Sequence, residues 1–194
     1  MPEVANGVLT PDEILVDLAR QGDRSASEEL FYRHRIVAYR VAYRLLGHEQ
    51  DAQDAVQDGL LKAMAHLRDF DGRSGFRTWL LRIVTNAALD SGRRRRRRPT
   101  LTLAESEVNG SEPACHDDPA KGLYQQDLRR RLDAALNRLT PPIRTTFILF
   151  AEAELSYKEI AEIQNVPIGT VMSRLHYARQ KLQSYLDLDG IEAI

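Results

Sequence analysis

The spacing of apolar residues constrains the fold of this 194-residue chain more than any other feature of its sequence. Outside one central segment, apolar side chains recur every three or four residues, and no stretch alternates between apolar and polar residues. This spacing is typical of α-helices with one buried face, whereas a half-buried strand requires alternation. We therefore expect an all-α fold, with helices near residues 11–21, 25–46, 50–68, 76–92, 123–139, 141–153, 156–163 and 168–185.

Residues 99–122 interrupt the helical pattern, because they are rich in Pro, Gly, Ser and acidic residues. A segment of this composition and length is predicted to be a flexible linker rather than a loop inside a compact domain. We therefore expect two small helical domains, an N-terminal helical bundle at 1–98 and a C-terminal helix-turn-helix domain at 123–194. The net charge of −1 is the sum of +3 for residues 1–98, −4 for the linker and zero for residues 123–194. Nucleic acid is therefore not excluded as a partner by the total charge, although nucleic-acid-binding domains are usually basic.

The composition disfavours several other classes of protein. No apolar run approaches the ~18–20 residues of a membrane span, and the first ten residues lack the layout of a signal peptide. Cys115 is the only cysteine, which excludes an internal disulfide framework, and the five histidines lack zinc-ligand spacing. No nucleophile–base pair or phosphate-cradling glycine loop is present. We expect a cytoplasmic protein that is not an enzyme, is not inserted in a membrane, and uses no metal or cofactor.

The segment from Leu155 to Leu182 carries the most specific pattern in the sequence. Ser156 followed by Glu159 is a capping box that begins a helix, and Pro167 suits the first turn of a second helix. The second helix has an apolar stripe of Val171, Leu175, Ala178 and Leu182. Two helices joined by a tight turn predict a helix-turn-helix, although a generic helical hairpin has a similar pattern.

The opposite face of the second helix presents the side chains that we expect to contact DNA. In a helix-turn-helix, N-terminal residues of the recognition helix reach base edges, and flanking Arg and Lys hold phosphates. The candidates are Met172, Ser173, Arg174, His176, Tyr177, Arg179 and Gln180. The alternative is that they form the solvated face of an ordinary amphipathic helix.

The helix predicted near residues 50–68 has two different faces. One face carries a stripe of small and apolar residues that would pack in the core. The other presents acidic and amide side chains around the apolar Leu61, which would suit docking on a basic protein helix. A plain solvated face with one stray leucine fits the same spacing. Asp54 and Asp58 have no second acidic helix or histidine motif to complete a metal or acid–base site.

A short charged loop with two glycines lies between Phe70 and Phe76 and precedes Arg77 and Trp79. Aromatic and arginine side chains around a flexible loop can hold unpaired bases by stacking and backbone contact. For Trp79, core packing is the favoured alternative, and for Phe76 both interpretations stay open. Six consecutive arginines, 93–98, follow this helix. Such a run is often a solvated edge, but its mutual repulsion also favours a nearby polyanion.

These motifs together resemble the extracytoplasmic-function group of bacterial sigma-70-type sigma factors. Residues 130–186, with LNRLTPPIRTTFIL, LSYKEIAEIQNV and PIGTVMSRLHYARQKL, are similar to region four of that family. Residues 25–98, with DAQDAVQDGLLKAMAHL and RSGFRTWLLRIVTN, resemble region two and precede the linker in the family's order. Met172 and Tyr177 depart from the family pattern, which usually has Lys or Arg at the first position and often Arg at the second.

The resemblance implies a promoter-specificity subunit of RNA polymerase that works by binding rather than catalysis. Region two would dock on the β′ clamp helices of the polymerase and capture unpaired bases of the minus-ten element, while region four would bind the minus-thirty-five duplex. The residues implied for polymerase docking are Asp51, Asp54, Gln57, Asp58 and Leu61. Those implied for the minus-ten element are Phe70, Asp71, Arg73, Ser74, Phe76, Arg77, Asn86, Arg93 and Arg94. The implied partners are core RNA polymerase, including its β flap, promoter DNA and an anti-sigma factor, and the alternative function is a sigma-like decoy that binds an anti-sigma factor.

Overall fold

A computed structural model of the chain describes residues 10–97 and 119–188. Within these ranges every regular element is helical, as the apolar spacing predicted. The helices are α1 (Asp12–Arg20), α2 (Arg24–Leu46), α3 (Glu49–His66), α4 (Phe76–Arg97), α5 (Pro119–Asn137), α6 (Pro141–Ala153), α7 (Tyr157–Gln164) and α8 (Ile168–Leu188), with a short 3-10 helix at Leu67–Asp69. Most of the predicted linker, residues 99–118, lies outside the described residues, as do Arg98 and Cys115.

Local side-chain and backbone chemistry determines where several helices begin and end. The Asp23 carboxylate accepts a hydrogen bond from the Ala26 backbone N–H at 3.1 Å and caps the start of α2. Gly47 ends that helix with a left-handed φ of 68°, as its position in the sequence predicted. The predicted capping box of α7 is confirmed, because the Ser156 N–H lies 2.9 Å from Glu159 Oε2 and the Glu159 N–H lies 3.3 Å from Ser156 Oγ.

Two helices differ in length from the prediction. Helix α4 continues to Arg97 and so includes most of the arginine run. Arginine is a good helix former, and cations are favoured near the negative end of the helix dipole. Helix α5 begins at Pro119, inside the segment assigned to the linker, because proline is well tolerated at the first position of a helix.

The buried core extends through both halves of the chain. In the N-terminal half, Leu30, Val41, Leu80, Leu81 and Val84 are completely buried. The same cluster continues into the C-terminal half through Ile148, Leu149, Ile160, Val171 and Leu175. A smaller second cluster joins α5 to α8 through Ala135, Leu136, Leu139, Ala178 and Leu182.

The two halves pack directly against each other, with α2 against α6 and α4 against α7. We call these contacts the domain interface. The sequence predicted two tethered helical units, and the structure adds this interface, which the apolar spacing within each helix did not reveal.

Candidate functional site

The turn between α7 and α8 sets the position of the predicted recognition helix. Helix α7 ends at Gln164 and is followed by Asn165, whose φ of 52° lies in the left-handed region. The side-chain oxygen of Gln164 lies 2.8 Å from Arg174 Nη1 and 2.8 Å from Thr146 Oγ1, so it links α6, α7 and α8. All four residues of the predicted apolar stripe on α8 are buried. Local caps, this polar link and the buried stripe therefore hold the helix-turn-helix geometry.

The predicted DNA-contacting residues of α8 fall into two groups. Met172 and Tyr177 are 51% and 44% exposed, and Ser173, His176 and Gln180 are exposed beside them. The two arginines differ: Arg174 is half-buried and its Nη1 donates to the Gln164 side-chain oxygen, whereas Arg179 is exposed with its guanidinium 5.3 Å from the Phe150 ring centroid. Arg179 therefore adds positive charge to the exposed face, while Arg174 is held against α7.

The acidic face of α3 brings together four of the five predicted docking residues. Asp54, Gln57, Asp58 and Leu61 are exposed on it, and the Leu61 side chain is 59% exposed. The fifth, Asp51, is half-buried, and its carboxylate oxygen lies 2.7 Å from Arg95 Nη1 of α4. Asp51 therefore also joins α3 to the arginine run, and its role in docking stays a prediction.

A groove between α2 and α3 adds residues that the sequence analysis missed. Its volume is about 500 Å³, and Ile36 and Leu61 at its sides are 60% and 59% exposed. The lining residues are Arg35, Ile36, Tyr39, Gln53, Val56, Gln57, Leu60 and Leu61. The signal for the α2 side was present in the sequence as a second apolar stripe of Tyr32, Ile36, Tyr39 and Tyr43. Exposed apolar surface beside the acidic face makes this area suited to binding a helix.

The phenylalanines at the two ends of the charged loop lie in the core. Phe70 and Phe76 are 5% and 4% exposed, and the Phe76 ring centroid lies 5.5 Å from that of Phe31 in α2. Trp79 joins the cluster with its ring centroid 5.1 Å from Phe70, in agreement with the core alternative. In this structure neither phenylalanine presents a face for base stacking, since packing three aromatic rings together buries more apolar area.

The loop itself presents a polar surface. Asp71 accepts a hydrogen bond from the Arg73 backbone N–H at 3.1 Å, and its other oxygen lies 2.6 Å from Arg73 Nε. These contacts, the backbone bond above all, lower the pKa of Asp71. Both side chains are exposed and Ser74 is half-buried, while Gly72 has a φ of 74° that permits the turn. Asp71 and Arg73 therefore lie on the surface, where a partner can reach them.

The remaining predicted minus-ten residues lie along α4. Asn86, Arg93 and Arg94 are exposed. Arg93 and Arg94 line a basic depression of about 370 Å³ together with Lys62, Asp90 and Arg97. Arg77 is different, because its Nη2 donates a hydrogen bond of 2.6 Å to the Ala153 carbonyl across the domain interface. Arg77 is therefore not free for DNA in this arrangement.

Several charged side chains also pair across the domain interface. Arg44 of α2 lies 2.5 Å from Asp133 and 2.8 Å from Glu152, both in the C-terminal half. The Thr78 hydroxyl donates a hydrogen bond to Glu159 at 2.7 Å. Burial raises the pKa of Glu159, but the hydrogen bonds from Ser156 and Thr78 lower it by more, so the pKa is lowered overall. These contacts satisfy buried polar groups that would otherwise make the interface unfavourable.

Arg144 completes the domain interface from the C-terminal side. Its guanidinium donates to the carbonyls of Arg44 and Leu45 at the end of α2. Burial, and then the nearby Arg96, lower the pKa of Arg144. The last turn of α2 offers unpaired carbonyl groups, so this arginine acts as its cap.

Two negative findings apply to the described residues only. Residues 10–97 and 119–188 contain no group of His, Cys, Asp or Glu arranged to hold a metal ion. In the same ranges, no helix combines the length and the apolar character that crossing a membrane requires.

Comparisons with known proteins match both halves of the chain. Residues 30–98 match the family model for sigma-70 region 2, and residues 129–182 match that for sigma-70 region 4. The chain is 36% identical over 168 residues to the ECF RNA polymerase sigma factor SigE of Mycolicibacterium smegmatis, which covers 85% of this chain and 64% of that protein. It is 31% identical to SigW of Bacillus subtilis over 86% of this chain and 92% of that protein.

Solved structures give the same relationship. The chain is similar to CnrH in complex with the cytosolic domain of CnrY, with a TM-score of 0.71, 27% identity, and coverage of 92% of this chain and 99% of that one. It is also similar to the sigma factor RpoE of Bartonella quintana in complex with the anti-sigma factor NepR, with a TM-score of 0.65, 28% identity, and coverage of 84% and 97%.

Proposed function

The chain belongs to the extracytoplasmic-function group of the sigma-70 family and is therefore an RNA polymerase sigma factor, and we propose that the surfaces described above perform its separate tasks. Its mechanism is binding and not catalysis. The observation that carries this proposal is the presence of both sigma regions in order, each with an exposed surface suited to its expected partner.

The C-terminal half would read the minus-thirty-five duplex with α8. Met172, Ser173, His176, Tyr177 and Gln180 are exposed on one side of this helix, opposite its buried stripe. The N-terminal turns of a recognition helix enter the major groove, so these side chains are the candidates for base contact. Arg179 would contact a phosphate from its exposed position, whereas Arg174 would do so only if its contact with Gln164 rearranged.

The N-terminal half would hold the minus-ten element at the loop of Asp71, Arg73 and Ser74 and along α4. The buried aromatic cluster beneath the loop would hold it in shape rather than stack on bases. Asn86, Arg93 and Arg94 present donors to the DNA backbone. Unpairing a base costs a few kcal/mol, which contacts to the extruded base and backbone offset.

The α2–α3 groove and its acidic rim would dock on core polymerase. A basic, amphipathic helix complements this surface, since Ile36 and Leu61 supply apolar contact while Asp54 and Asp58 supply negative charge. The clamp helices of the β′ subunit have this role for the family's region two. The β flap would contact the C-terminal half.

The remaining parts of the proposal follow from the same function. The domains would be residues 1–98 and 123–194 with a linker between them. The similar structures of CnrH and RpoE were solved with the partners CnrY and NepR, which favours an anti-sigma factor as a further partner of this chain. A cytoplasmic location would place it with bacterial RNA polymerase and the chromosome.

In vitro transcription tests the proposed function. The full chain is added to core RNA polymerase with genomic fragments as templates, and transcript start sites are mapped. We expect start sites that depend on the chain and share two upstream elements. A sigma-like decoy would give no such transcripts, and neither would a chain that binds core polymerase without recognising promoters.

Variants of α3 test the docking surface within the same assay. Leu61→Asp should reduce binding to core polymerase by at least about tenfold, because an apolar contact is replaced by a charge. Glu28→Arg, at an exposed position near the start of α2, is the control and should bind normally. Equal binding by both variants would show that the core polymerase docks elsewhere.

A further inference from the structure

The first two turns of α8 present apolar side chains at the end where a recognition helix meets bases. Ile168 and Met172 lie one turn apart and are 43% and 51% exposed. Residues 168–173 contain no charged side chain. In a helix-turn-helix this end of the helix enters the major groove. An exposed methionine at that place needs an apolar partner if its burial against DNA is to be favourable.

The polar groups next to Met172 already have partners within the protein. The Ser173 hydroxyl donates to the Thr170 carbonyl at 3.0 Å. The first charged residue of the helix, Arg174, is held by Gln164 at 2.8 Å. The bidentate donors that usually read guanine are therefore not presented by these two neighbours in this structure.

Base edges in the major groove differ in the groups that they offer to such a surface. Thymine alone presents an apolar group there, its C5-methyl. Packing a thioether against a guanine or cytosine edge would cover hydrogen-bonding groups without replacing their bonds to water, which is unfavourable. Burying one methyl group is worth about fourfold in affinity, equivalent to about 0.8 kcal/mol. Promoter affinity with thymine should therefore exceed promoter affinity with the same base lacking its methyl group by about fourfold.

We infer that Met172 is a specificity-determining residue that packs on the C5-methyl of a thymine in the minus-thirty-five element. This inference rests on the proposed function, since it requires α8 to lie in the major groove of that element. The contact would be apolar and would depend on one methyl group.

The test uses holoenzyme assembled from the full chain and core RNA polymerase, on a promoter defined by start-site mapping. Each thymine of the minus-thirty-five element, on either strand, is replaced in turn by deoxyuridine, which lacks only the C5-methyl. At one position we expect promoter affinity to fall about fourfold for the wild-type holoenzyme. For Met172→Ala, the thymine and deoxyuridine promoters should bind equally at that position. Met172→Leu, which keeps an apolar side chain of similar volume, should retain the preference for thymine.

Met64→Ala is the matched control, because Met64 is 54% exposed on α3 and is outside the helix-turn-helix. Its holoenzyme should keep the fourfold ratio even if its affinity for core polymerase changes, since the ratio compares two DNAs with one holoenzyme. A Met172→Ala holoenzyme that keeps the wild-type ratio would overturn the inference. So would a lack of effect at every thymine, or an element without A·T pairs, while transcription continued. The absence of any promoter-specific transcript would instead overturn the proposed function.

Discussion

Gly59→Ala tests how closely α3 must approach α4 beneath the candidate docking face. A Cβ atom at this position would lie 2.8 Å from Val84 Cγ2 and 3.1 Å from Val84 Cα. Replacing glycine by alanine inside a helix gains about 1 kcal/mol of helix propensity. Against this gain, overpacking a core usually costs about 1–3 kcal/mol. Val84 is completely buried and β-branched, so it cannot rotate away.

We therefore expect Gly59→Ala to lower the free energy of unfolding by up to about 2 kcal/mol, since the helix gain offsets only part of the steric cost. Gly92→Ala is the matched control, because its Cβ would meet only Leu46 Cδ2, at 3.4 Å. It should raise the free energy of unfolding by about 0.5–1 kcal/mol. Urea unfolding followed by circular dichroism measures both changes as shifts of the midpoint. A Gly59→Ala chain at least as stable as wild type, with an unchanged m-value, would refute the reasoning.

Three further predictions concern the interior and the domain interface. Arg44→Met removes two ion pairs across the interface and should weaken domain packing by about 1–3 kcal/mol, which would be seen as faster hydrogen exchange in α6. Arg40→Met, at an exposed position on the same helix, is the control. Equal exchange rates in the two variants would contradict the role of Arg44. Thr85→Val should stabilise the chain by about 1 kcal/mol, because Thr85 Oγ1 is buried without a hydrogen-bond partner. Thr146→Val should instead destabilise it, because it removes a hydroxyl that donates a hydrogen bond to the Pro142 carbonyl. The pKa of Glu159 is lowered, so its contribution to stability is present above its ordinary value of 4.5 and is lost as the pH falls through the folded-state pKa. The free energy of unfolding should therefore fall less on acidification in Thr78→Val than in wild type, as measured by urea unfolding at several pH values. An identical pH profile in the two chains would contradict the Thr78–Glu159 contact.

Several helix boundaries and the helix-turn-helix could be predicted because their determinants are local. Ser156 and Glu159 are three residues apart, and the left-handed Gly47 directly follows the helix that it ends. The burial of Phe76 could not be predicted from spacing, because its ring packs on Phe31 of another helix. The same spacing fits a ring on the surface and a ring in the core, and only tertiary packing distinguishes them.

The domain interface was also beyond the reach of sequence patterns. Arg44 is 89 residues from Asp133 and 108 residues from Glu152 in the sequence. The same charged residues could equally form ion pairs on the exposed surface of each half. Asp51 likewise follows the pattern of the exposed face, but Arg95 holds it from a position 44 residues away. Charged residues give no periodic signal for their partners, so pairing across helices has to be read from the structure.

The packed arrangement of the two halves cannot serve both promoter elements at once. Elements named minus ten and minus thirty-five are about 25 base pairs apart, or about 85 Å along B-DNA at about 3.4 Å per base pair. A compact chain of this length has a radius of gyration of only about 16 Å. With Arg77 bonded to Ala153, part of the predicted minus-ten surface is also covered by the C-terminal half. Simultaneous binding of both elements therefore requires the domain interface to open. A ligand that binds the packed arrangement more tightly than the open one would consequently reduce transcription without touching either DNA-binding surface.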